Sequence, residues 1–342
     1  MAELSVFFGD TGARKTTAMG DAAEYLYEAT GGKPGRAIYS DGGGWKPIKG
    51  IVSAGIIQPF NIIIEPHIPQ IMVRLSQGYW PAKLDPETGL RILKGKIETA
   101  EDWLPPSAEY LDKIGFYIWE GLSGTAELYM RWLRDNPNFT IGGDANSRVT
   151  ILDPLSTEKD VKGNGILTFA ANGKMHWNWA GQNTLDRVAT FGCLPVKIVL
   201  ITAHEASGNT DDDSQEPIKG PMVVGKAATG KVARNVGDCI HFEKFFKKSA
   251  GTGDNIQTTT TDVRCYFEDH PDPKLPTVSY KCKTRVAKEQ VPDLKKAFPG
   301  GYFAPTDIAK FLRVSDELRG ADKNSAASRK AAIDARLAQG KG

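Results

Sequence analysis

A short glycine-rich segment near the start of the chain has residue types suited to binding phosphate. It reads Gly-Asp-Thr-Gly-Ala-Arg-Lys-Thr-Thr over residues 9–17, between an apolar run and a helical pattern. In such a loop the backbone N–H groups can point at a polyphosphate, and the following helix N-terminus adds partial positive charge. We expect Lys15 to reach the β- and γ-phosphates of a nucleotide and Thr16 to supply a hydroxyl to Mg²⁺. The predicted contacts are Gly9, Asp10, Thr11, Gly12, Ala13, Arg14, Lys15, Thr16 and Thr17.

Arg14 is the point at which this segment departs from the usual phosphate-binding pattern. In G-x-x-x-x-G-K-[ST] the second fixed glycine stands directly before the lysine, and this chain has Arg14 there. The position needs a backbone that can pass close to the phosphates, which glycine allows most easily. The Arg14 cation either contacts phosphate or points to solvent. A glycine-rich turn with a surface lysine is the alternative interpretation of the whole segment.

Acidic side chains stand where predicted strands end, so they are candidates for the metal and for the attacking water. The apolar run FYIWE ends in Glu120, which we expect to hold Mg²⁺ together with Thr16. Asp41 follows the predicted strand 36–40 and precedes three glycines, so we expect it to activate water. Glu65, at the end of FNIIIE, competes with Asp41 for that role. A surface acid at a strand end is the alternative interpretation of Glu120 and of Asp41.

A histidine and a late cationic strip complete the candidate site residues. His204 follows the strand VKIVLIT, where a polar side chain can hydrogen-bond the γ-phosphate and sense its loss. Lys281, Lys283 and Arg285 alternate, so in a strand they project from one face. Such a strip could reach the nucleotide of a neighbouring subunit, contact a nucleic-acid backbone, or protect a solvated edge strand. We take Lys283 and Arg285 as the candidate trans-acting residues.

Alternating strand and helix patterns position these residues. Strands are predicted at 4–8, 36–40, 60–65, 115–120 and 196–202, and later at 222–224, 239–242, 262–267 and 278–285. Helices are predicted at 15–28, 69–79, 125–134, 183–191 and 227–235. The alternation favours an α/β fold with a mainly parallel sheet flanked by helices, and the later strands favour antiparallel additions at one edge. The candidate residues then lie at the carboxyl ends of the strands, where open α/β sheets bind ligands.

Two segments rich in turn residues interrupt this pattern, and the end of the chain differs from the rest. We predict an ATP-binding core over residues 1–290, with insertions at about 80–110 and 135–165. Residues 291–342 are charged and alanine-rich towards their end, which indicates a C-terminal helical extension or tail.

Composition excludes several classes of protein. The 342 residues are 40% hydrophobic and 25% charged, which argues against a disordered chain, a collagen or a coiled coil. Lys and Arg number 43 against 41 Asp and Glu, so the net charge of +2 argues against a highly basic nucleic-acid coat protein, although a local basic patch is compatible with it. No run approaches the roughly 20 apolar residues of a membrane helix, and we see no signal peptide. The four cysteines form no CxxC pair, which favours free thiols over a zinc site.

The order of these segments resembles that of RecA-like P-loop ATPases. The segments are residues 9–17, YSDGGG, IWEGLS, VLITAHE, GPMVVGKAATGKVARNVGD and KCKTR, spread over about residues 3–290. Within that superfamily the chain resembles most the phage-encoded nucleotide-binding proteins, including those linked to single-strand annealing and recombination. The resemblance implies a RecA-type core, ATP with Mg²⁺, and sites completed between the subunits of a homo-oligomeric ring or filament.

The resemblance also implies roles for single residues. Lys15 and Thr16 take the phosphate and metal contacts, Glu120 the Walker B place and His204 the sensor place. Lys283 and Arg285 take the intersubunit cation place. The catalytic glutamate of the family follows the second strand, where this chain has glycines at 42–44, so Asp41 is left for that role.

Two functions follow from these patterns, and a third fits them less well. The first is a Mg²⁺-dependent ATPase of phage DNA recombination or replication, in the host cytoplasm, with single-stranded DNA as a candidate partner. The second is a nucleotide-stabilised structural or assembly protein with little hydrolysis, which Arg14 and the missing glutamate favour. A small-molecule kinase usually carries an arginine-rich lid, whereas the 207–220 loop is acidic.

Overall fold

A computed structural model describes residues 2–40, 45–95, 97–136, 140–141, 149–150, 174–208, 218–223, 226–248, 258–273, 275 and 278–320. The strands are β1 Glu3–Gly9, β2 Gly35–Tyr39, β3 Ile57–Asn61, β4 Trp80–Pro81, β5 Trp103–Leu104, β6 Phe116–Glu120, β7 Thr140–Ile141, β8 Val149–Thr150, β9 Ile198–Ala203, β10 Glu205–Gly208, β11 Ile218–Pro221, β12 Asp238–Lys248, β13 Thr258–Tyr266, β14 His270–Pro271, β15 Ser279–Tyr280 and β16 Tyr302–Phe303. The helices are α1 Lys15–Ala29, α2 Lys49–Ser53, α3 Ile68–Ser76, α4 Ala108–Leu111, α5 Leu122–Asp135, α6 Lys174–Phe191, α7 Lys226–Asn235, α8 Val291–Ala297 and α9 308–320.

The main sheet has eight strands in the order β16-β13-β12-β1-β9-β6-β2-β3. The six strands from β12 to β3 are parallel, whereas β13 and β16 add antiparallel pairs at one edge. One face is covered by α3, α5, α6 and α7, and the other by α1, α8 and α9. The predicted fold class, an α/β fold with a mainly parallel sheet flanked by helices and antiparallel strands at one edge, is confirmed.

The central strand β1 shows why the chain folds this way. Val6 and Phe8 pack into the core on one face of the sheet, and Phe7 packs into the core on the other. All three are fully buried. A strand that is apolar on both sides must be covered on both sides, which parallel sheets achieve through their crossover helices. The carboxyl ends of β1, β6 and β9 therefore meet at one edge of the sheet, beyond which the candidate residues lie.

The third strand does not coincide with the apolar run FNIIIE. The run predicts a strand at 60–65, whereas β3 covers Ile57–Asn61 and its apolar run continues into a turn. Ile62 is fully buried but Ile64 is 67% exposed. The prediction was wrong at this boundary because an apolar run does not by itself distinguish buried from exposed positions.

A second, smaller sheet has the order β10-β11-β15-β14. Its strands differ from the predicted ones at 222–224 and 278–285, because β11 covers Ile218–Pro221 and β15 only Ser279–Tyr280. The predicted strand 278–285 is interrupted because backbone groups beyond β15 bond elsewhere. Lys283, for example, pairs as a single bridge with Cys239 of β12.

The predicted insertion at 80–110 is a two-stranded unit, β4 with β5, fixed to the core by buried charges. Arg91 forms ion pairs with Glu65 at 2.7 Å and Glu98 at 2.6 Å, and its guanidinium lies 5.0 Å from the centre of the Trp103 ring. Most of the second predicted insertion, 135–165, lies outside the described residues.

The C-terminal segment packs on the sheet as far as it is described. β16 pairs with β13, and Phe303 and Phe311 are buried with the α1 face of the core. Residues 321–342 lie outside the described ranges, and the boundary at 290/291 stays a prediction. Across the described part of the chain, no helix is both long and apolar enough to cross a membrane. The four cysteines are free thiols, and three of them are buried.

Candidate nucleotide-binding site

The phosphate-binding segment joins β1 to α1 at the carboxyl end of a central strand. Gly9 has φ of 153° and Gly12 has φ of 76°, which side chains of L-residues rarely allow. A Cβ atom on Gly9 would lie 2.3 Å from the carbonyl oxygen of Phe242 in β12. The loop therefore requires glycine where it leaves the strand, and it passes directly into the N-terminus of a helix.

The Lys15 side chain is folded back onto the loop that precedes it. Its Nζ donates hydrogen bonds to the carbonyl oxygens of Gly9 at 2.8 Å and Asp10 at 2.9 Å, and the residue is 8% exposed. Burial lowers the pKa of the Lys15 ammonium group, and the carboxylates of Glu120 and Asp10 oppose that change. Because this cation is already largely buried in the folded chain, a phosphate group would meet it with little further loss of hydration.

Thr16 and Glu120 are 104 positions apart in the sequence and in direct contact in the fold. The Thr16 hydroxyl donates a hydrogen bond of 2.8 Å to Glu120 Oε1, and the Glu120 side chain is largely buried at the end of β6. A hydroxyl beside a carboxylate offers the oxygen donors that Mg²⁺ prefers. The pair therefore fits a magnesium ion that arrives with a nucleotide.

A cavity of about 340 Å³ brings the candidate residues together. The lining comes from the loop, from the ends of β6 and β9, and from the turn before α2. The lining residues are Thr11, Gly12, Ala13, Arg14, Lys15, Thr16, Thr17, Pro47, Glu120, Gly121, Thr202, Ala203 and His204. The sequence-based prediction named nine of these thirteen positions for a role in nucleotide binding or hydrolysis.

His204 is held between the phosphate loop and the start of α5. Its Nδ1 lies 3.5 Å from the Thr11 Oγ1, and its backbone N–H donates to Ser123 Oγ at 3.0 Å. The neighbouring Thr202 Oγ1 accepts a 2.9 Å hydrogen bond from the Gly121 N–H. These bonds tie the end of β9 to the residues that follow Glu120. The sensor role of His204 stays a prediction.

The two residues predicted to compete for activating water have different positions. Asp41 lies outside the described residues, so its role stays a prediction. Glu65 pairs with Arg91, and both side chains are almost fully buried. Burial raises the pKa of Glu65, and the Arg91 guanidinium opposes that change. Glu65 does not line the cavity in the described part of the chain, so its observed contact fixes the 80–110 segment to the core.

Lys283 and Arg285 already have partners within the chain. The Lys283 Nζ donates to the Arg234 carbonyl at 3.3 Å, and burial lowers its pKa. The Arg285 Nε lies 2.9 Å from Asp238 Oδ2, and the guanidinium also pairs with Glu3. Glu3 and Asp238 begin β1 and β12, so Arg285 is at the opposite end of the sheet from the phosphate loop. The trans-acting role stays a prediction for both residues.

The backbone at Arg14 explains the glycine that the usual pattern has there. Arg14 has φ of 58° and ψ of 22°, the left-handed conformation, and it is the one non-glycine residue with positive φ among those described. This conformation costs an L-residue roughly 1–2 kcal/mol. The Arg14 side chain is exposed. The loop thus keeps the geometry of the pattern although the glycine is replaced.

We expect the Arg14→Gly variant to be more stable than Arg14→Ala by about 1 kcal/mol, because glycine alone adopts the left-handed conformation without strain. Urea unfolding of the two variants measures this difference. The matched pair Glu24→Gly and Glu24→Ala, at an exposed position inside α1, should show the reverse order by about the same amount. An Arg14 pair that follows the order of the Glu24 pair would contradict the assigned backbone conformation.

On the predicted ATPase activity, we expect Glu120→Gln to lower kcat about 10²-fold, with nucleotide affinity in the absence of Mg²⁺ nearly unchanged. The amide oxygen can still accept the hydrogen bond from Thr16, so the variant removes charge and keeps the shape of the pocket. Phosphate release and nucleotide titration, each with and without Mg²⁺, measure the effect. The control is Glu24→Gln, at an exposed position of α1. An unchanged Mg²⁺ dependence in Glu120→Gln would exclude Glu120 from the metal site.

The sequence analysis did not predict two residues that contact the site, Thr202 and Lys244. Thr202 lies inside the strand VKIVLIT and gave no signal beyond that of a strand residue. Lys244, on β12, donates a hydrogen bond to the Thr11 carbonyl oxygen. It lies 233 positions from Thr11, in a segment whose only sequence signal was a short predicted strand at 239–242.

Comparison with known proteins adds little to this geometry. No protein family model matches the chain, and no curated protein matches it. Among solved structures, the chain is similar to the crystal structure of the RadB recombinase, with 9% identity over 78% of this chain and 80% of that chain, and a TM-score of 0.35. A similarity at that level carries no conclusion about activity, so the functional argument rests on the site.

Proposed function

We propose that this protein binds ATP with Mg²⁺ in the cavity beyond β1, β6 and β9 and hydrolyses it. The observation that carries the proposal is the convergence of Lys15, Thr16 and Glu120 on one cavity from two different strand ends. A surface lysine on a glycine-rich turn, which is the alternative interpretation, would be exposed and would have no reason to meet a buried strand-end carboxylate. Lys15 is 8% exposed instead.

Each side chain has a task in the proposed reaction. The backbone N–H groups of the loop and the N-terminus of α1 bind the phosphates, and Lys15 exchanges its carbonyl partners for phosphate oxygens. Thr16 and Glu120 would hold Mg²⁺, which neutralises phosphate charge when bound. His204 lines the same cavity and would hydrogen-bond the terminal phosphate. Catalysis in such a site comes mainly from positioning and electrostatic stabilisation.

The test is a titration of the full chain with ATP and ADP, combined with a phosphate-release assay. We expect saturable binding of both nucleotides and release of phosphate that requires Mg²⁺. Failure to bind either nucleotide would overturn the proposal. Repeating the assay with single-stranded DNA separates a DNA-dependent ATPase from an independent one.

A second candidate is a nucleotide-stabilised assembly protein with slow hydrolysis. Among the described residues that line the cavity, Glu120 is the one carboxylate, and it already accepts a hydrogen bond from Thr16. A site with no second acid to activate water would hydrolyse slowly. This candidate is favoured if ATP binds and increases the size of the particle in solution while phosphate release stays slow.

The proposal also includes a role in DNA recombination and the formation of a homo-oligomer. They rest on the resemblance to RecA-like ATPases found in the sequence. In the described residues, Lys281 pairs with Asp269 at 2.9 Å and Arg285 is buried, so this strip does not add support for DNA contact. Binding of fluorescent single-stranded DNA at low salt tests this part independently of the nucleotide.

A further inference from the structure

The strand β12 extends beyond the end of β1, and one of its lysines reaches the phosphate loop. Gly9, the last residue of β1, is paired in register with Phe242, and β12 continues to Lys248. Side chains alternate along a strand, so Lys244 lies on the same face as Phe242. Phe242 is buried in the same cluster as Ala13 of the loop. Lys244 is therefore placed over the loop on the face that α1 covers.

The contact between Lys244 and the loop is direct. The Lys244 Nζ donates a hydrogen bond to the Thr11 carbonyl oxygen. A Cβ atom placed on Gly12 would lie 3.6 Å from that Nζ. The pKa of Lys15 is lowered mainly by burial, and the positive charge of Lys244 adds to this effect. Two ammonium groups thus reach the loop, one from α1 and one from β12.

The recorded partner of Lys244 is a backbone carbonyl oxygen, as it is for Lys15, whereas Lys219 and Lys281 have carboxylate partners. Lys219 of β11 pairs with Asp272 at 2.6 Å, and Lys281 pairs with Asp269 at 2.9 Å. In the part of the chain that the structure describes, Lys244 makes no ion pair, and its recorded bond is to the Thr11 carbonyl. A half-buried cation with only a carbonyl partner beside a phosphate loop is suited to an anionic ligand.

We propose that Lys244 is a catalytic residue: its ammonium group contacts the γ-phosphoryl group of ATP bound to the same chain and stabilises the negative charge that develops there. This inference rests on the proposed function. It differs from the trans-acting role predicted for Lys283 and Arg285, because Lys244 reaches the loop of its own chain. On binding, Lys244 exchanges its hydrogen bond to the Thr11 carbonyl for one to a phosphate oxygen. Lys15 likewise exchanges its bonds to the Gly9 and Asp10 carbonyls.

The reaction is ordinary hydrolysis, and Lys244 transfers no proton in it. The oxygen of a water molecule attacks the γ-phosphorus, and the bond from that phosphorus to the β–γ bridging oxygen breaks. The electron pair of the broken bond stays on ADP, and a proton of the water passes to the released phosphate. A cation near the γ-phosphoryl group stabilises the charge on its oxygens most in the transition state, which raises kcat more than it raises affinity.

Two variants separate a catalytic charge from a structural hydrogen bond. Lys244→Gln keeps a donor for the Thr11 carbonyl but removes the charge, whereas Lys244→Arg keeps both. We expect Lys244→Gln to lower kcat about 10²-fold, with the Kd for ADP within about threefold of wild type. Lys244→Arg should retain most of the activity. The control is Lys296→Ala, an exposed lysine of α8, which should leave both quantities unchanged.

A second measurement, the affinity for a transition-state analogue, does not depend on ATP turnover. ADP with aluminium fluoride imitates the transferred phosphoryl group, so it binds an ATPase more tightly than ADP alone. We expect wild type and Lys244→Arg to show this gain in affinity by calorimetry, and Lys244→Gln to lose most of it. Mixing Lys244→Gln with Lys15→Ala chains should restore no activity, because a residue acting within its own chain cannot complement another subunit.

The outcomes distinguish this inference from the proposed function. Wild type that binds no nucleotide overturns both. Wild type that binds ATP but neither hydrolyses it nor gains affinity with aluminium fluoride overturns the catalytic role and leaves nucleotide binding intact. If Lys244→Gln retains full activity, Lys244 only holds the Thr11 carbonyl. If Lys244→Gln does not fold, a fully active Lys244→Met, which has neither charge nor donor, would equally overturn the catalytic role.

Discussion

Replacing Lys15 by methionine is expected to reduce ATP hydrolysis at least 10³-fold and to weaken ATP binding strongly, while leaving the folded chain intact. The loss follows from the position of the ammonium group, which is buried at the loop and would be the first cation that the phosphates meet. Phosphate release and calorimetric titration with ATP measure the two effects. The control is Lys49→Met in α2, where the residue is exposed and lies outside the cavity.

The stability of Lys15→Met is an equally specific part of this prediction. The variant loses two hydrogen bonds to carbonyl oxygens, but it also removes a charge whose pKa is lowered by burial. A lysine with a lowered folded-state pKa destabilises the fold at neutral pH, and the penalty fades as the pH rises towards the pKa of the unfolded state. We therefore expect the free energy of unfolding at pH 7 to stay within about 1 kcal/mol of wild type.

A large loss of stability in Lys15→Met would contradict this account. It would mean that Lys15 mainly holds the loop together, and lost ATP binding would then follow from a disordered loop. Intact stability with lost binding would show instead that the loop is built around a cation reserved for its ligand. Thermal unfolding with and without ATP distinguishes the two, since a bound nucleotide raises Tm only when it binds the folded chain.

The parts of the site that could be predicted from the sequence are those in which a short motif lies at the end of a predicted strand. The run from β1 to α1 combines an apolar strand, glycines and a lysine within 15 residues, so loop, helix start and Lys15 are all local. Glu120 was predicted because an apolar strand ends in an acid, and parallel strands bring their carboxyl ends to one edge. The contact between Thr16 and Glu120 also requires the strand order β1-β9-β6, which these local patterns do not give.

The parts that could not be predicted depend on contacts between distant segments. Lys244 meets Thr11 only because β12 is parallel to β1 and continues beyond the paired region, which places Lys244 two residues past Phe242, and no local pattern encodes this. The alternation of Lys281, Lys283 and Arg285 predicts one face of a strand, but β15 ends at Tyr280.

Arg285 belongs to the alternating cations for which we predicted a trans-acting role, but in the fold it forms ion pairs within its own chain. Its guanidinium lies between Asp238, which is fully buried, and Glu3. The backbone N–H of Arg285 also donates to Asp238 Oδ1 at 2.8 Å, and Ser5 Oγ donates to Oδ2 at 2.7 Å. Glu3 pairs in addition with Arg319 of α9. This network joins the beginnings of β1 and β12 to the C-terminal helix.

We therefore expect Arg285→Ala to lower the free energy of unfolding by about 3–5 kcal/mol, because it leaves a buried carboxylate with its charge uncompensated. Urea unfolding of the nucleotide-free chain measures this. Lys281→Ala is the matched control: its pair with Asp269 is about half exposed on both sides and should contribute no more than about 1 kcal/mol. Hydrolysis per folded chain should be unchanged in Arg285→Ala. Normal stability with lost hydrolysis, restored by mixing with Lys15→Met chains, would instead establish the trans-acting role that the alternating cations suggested.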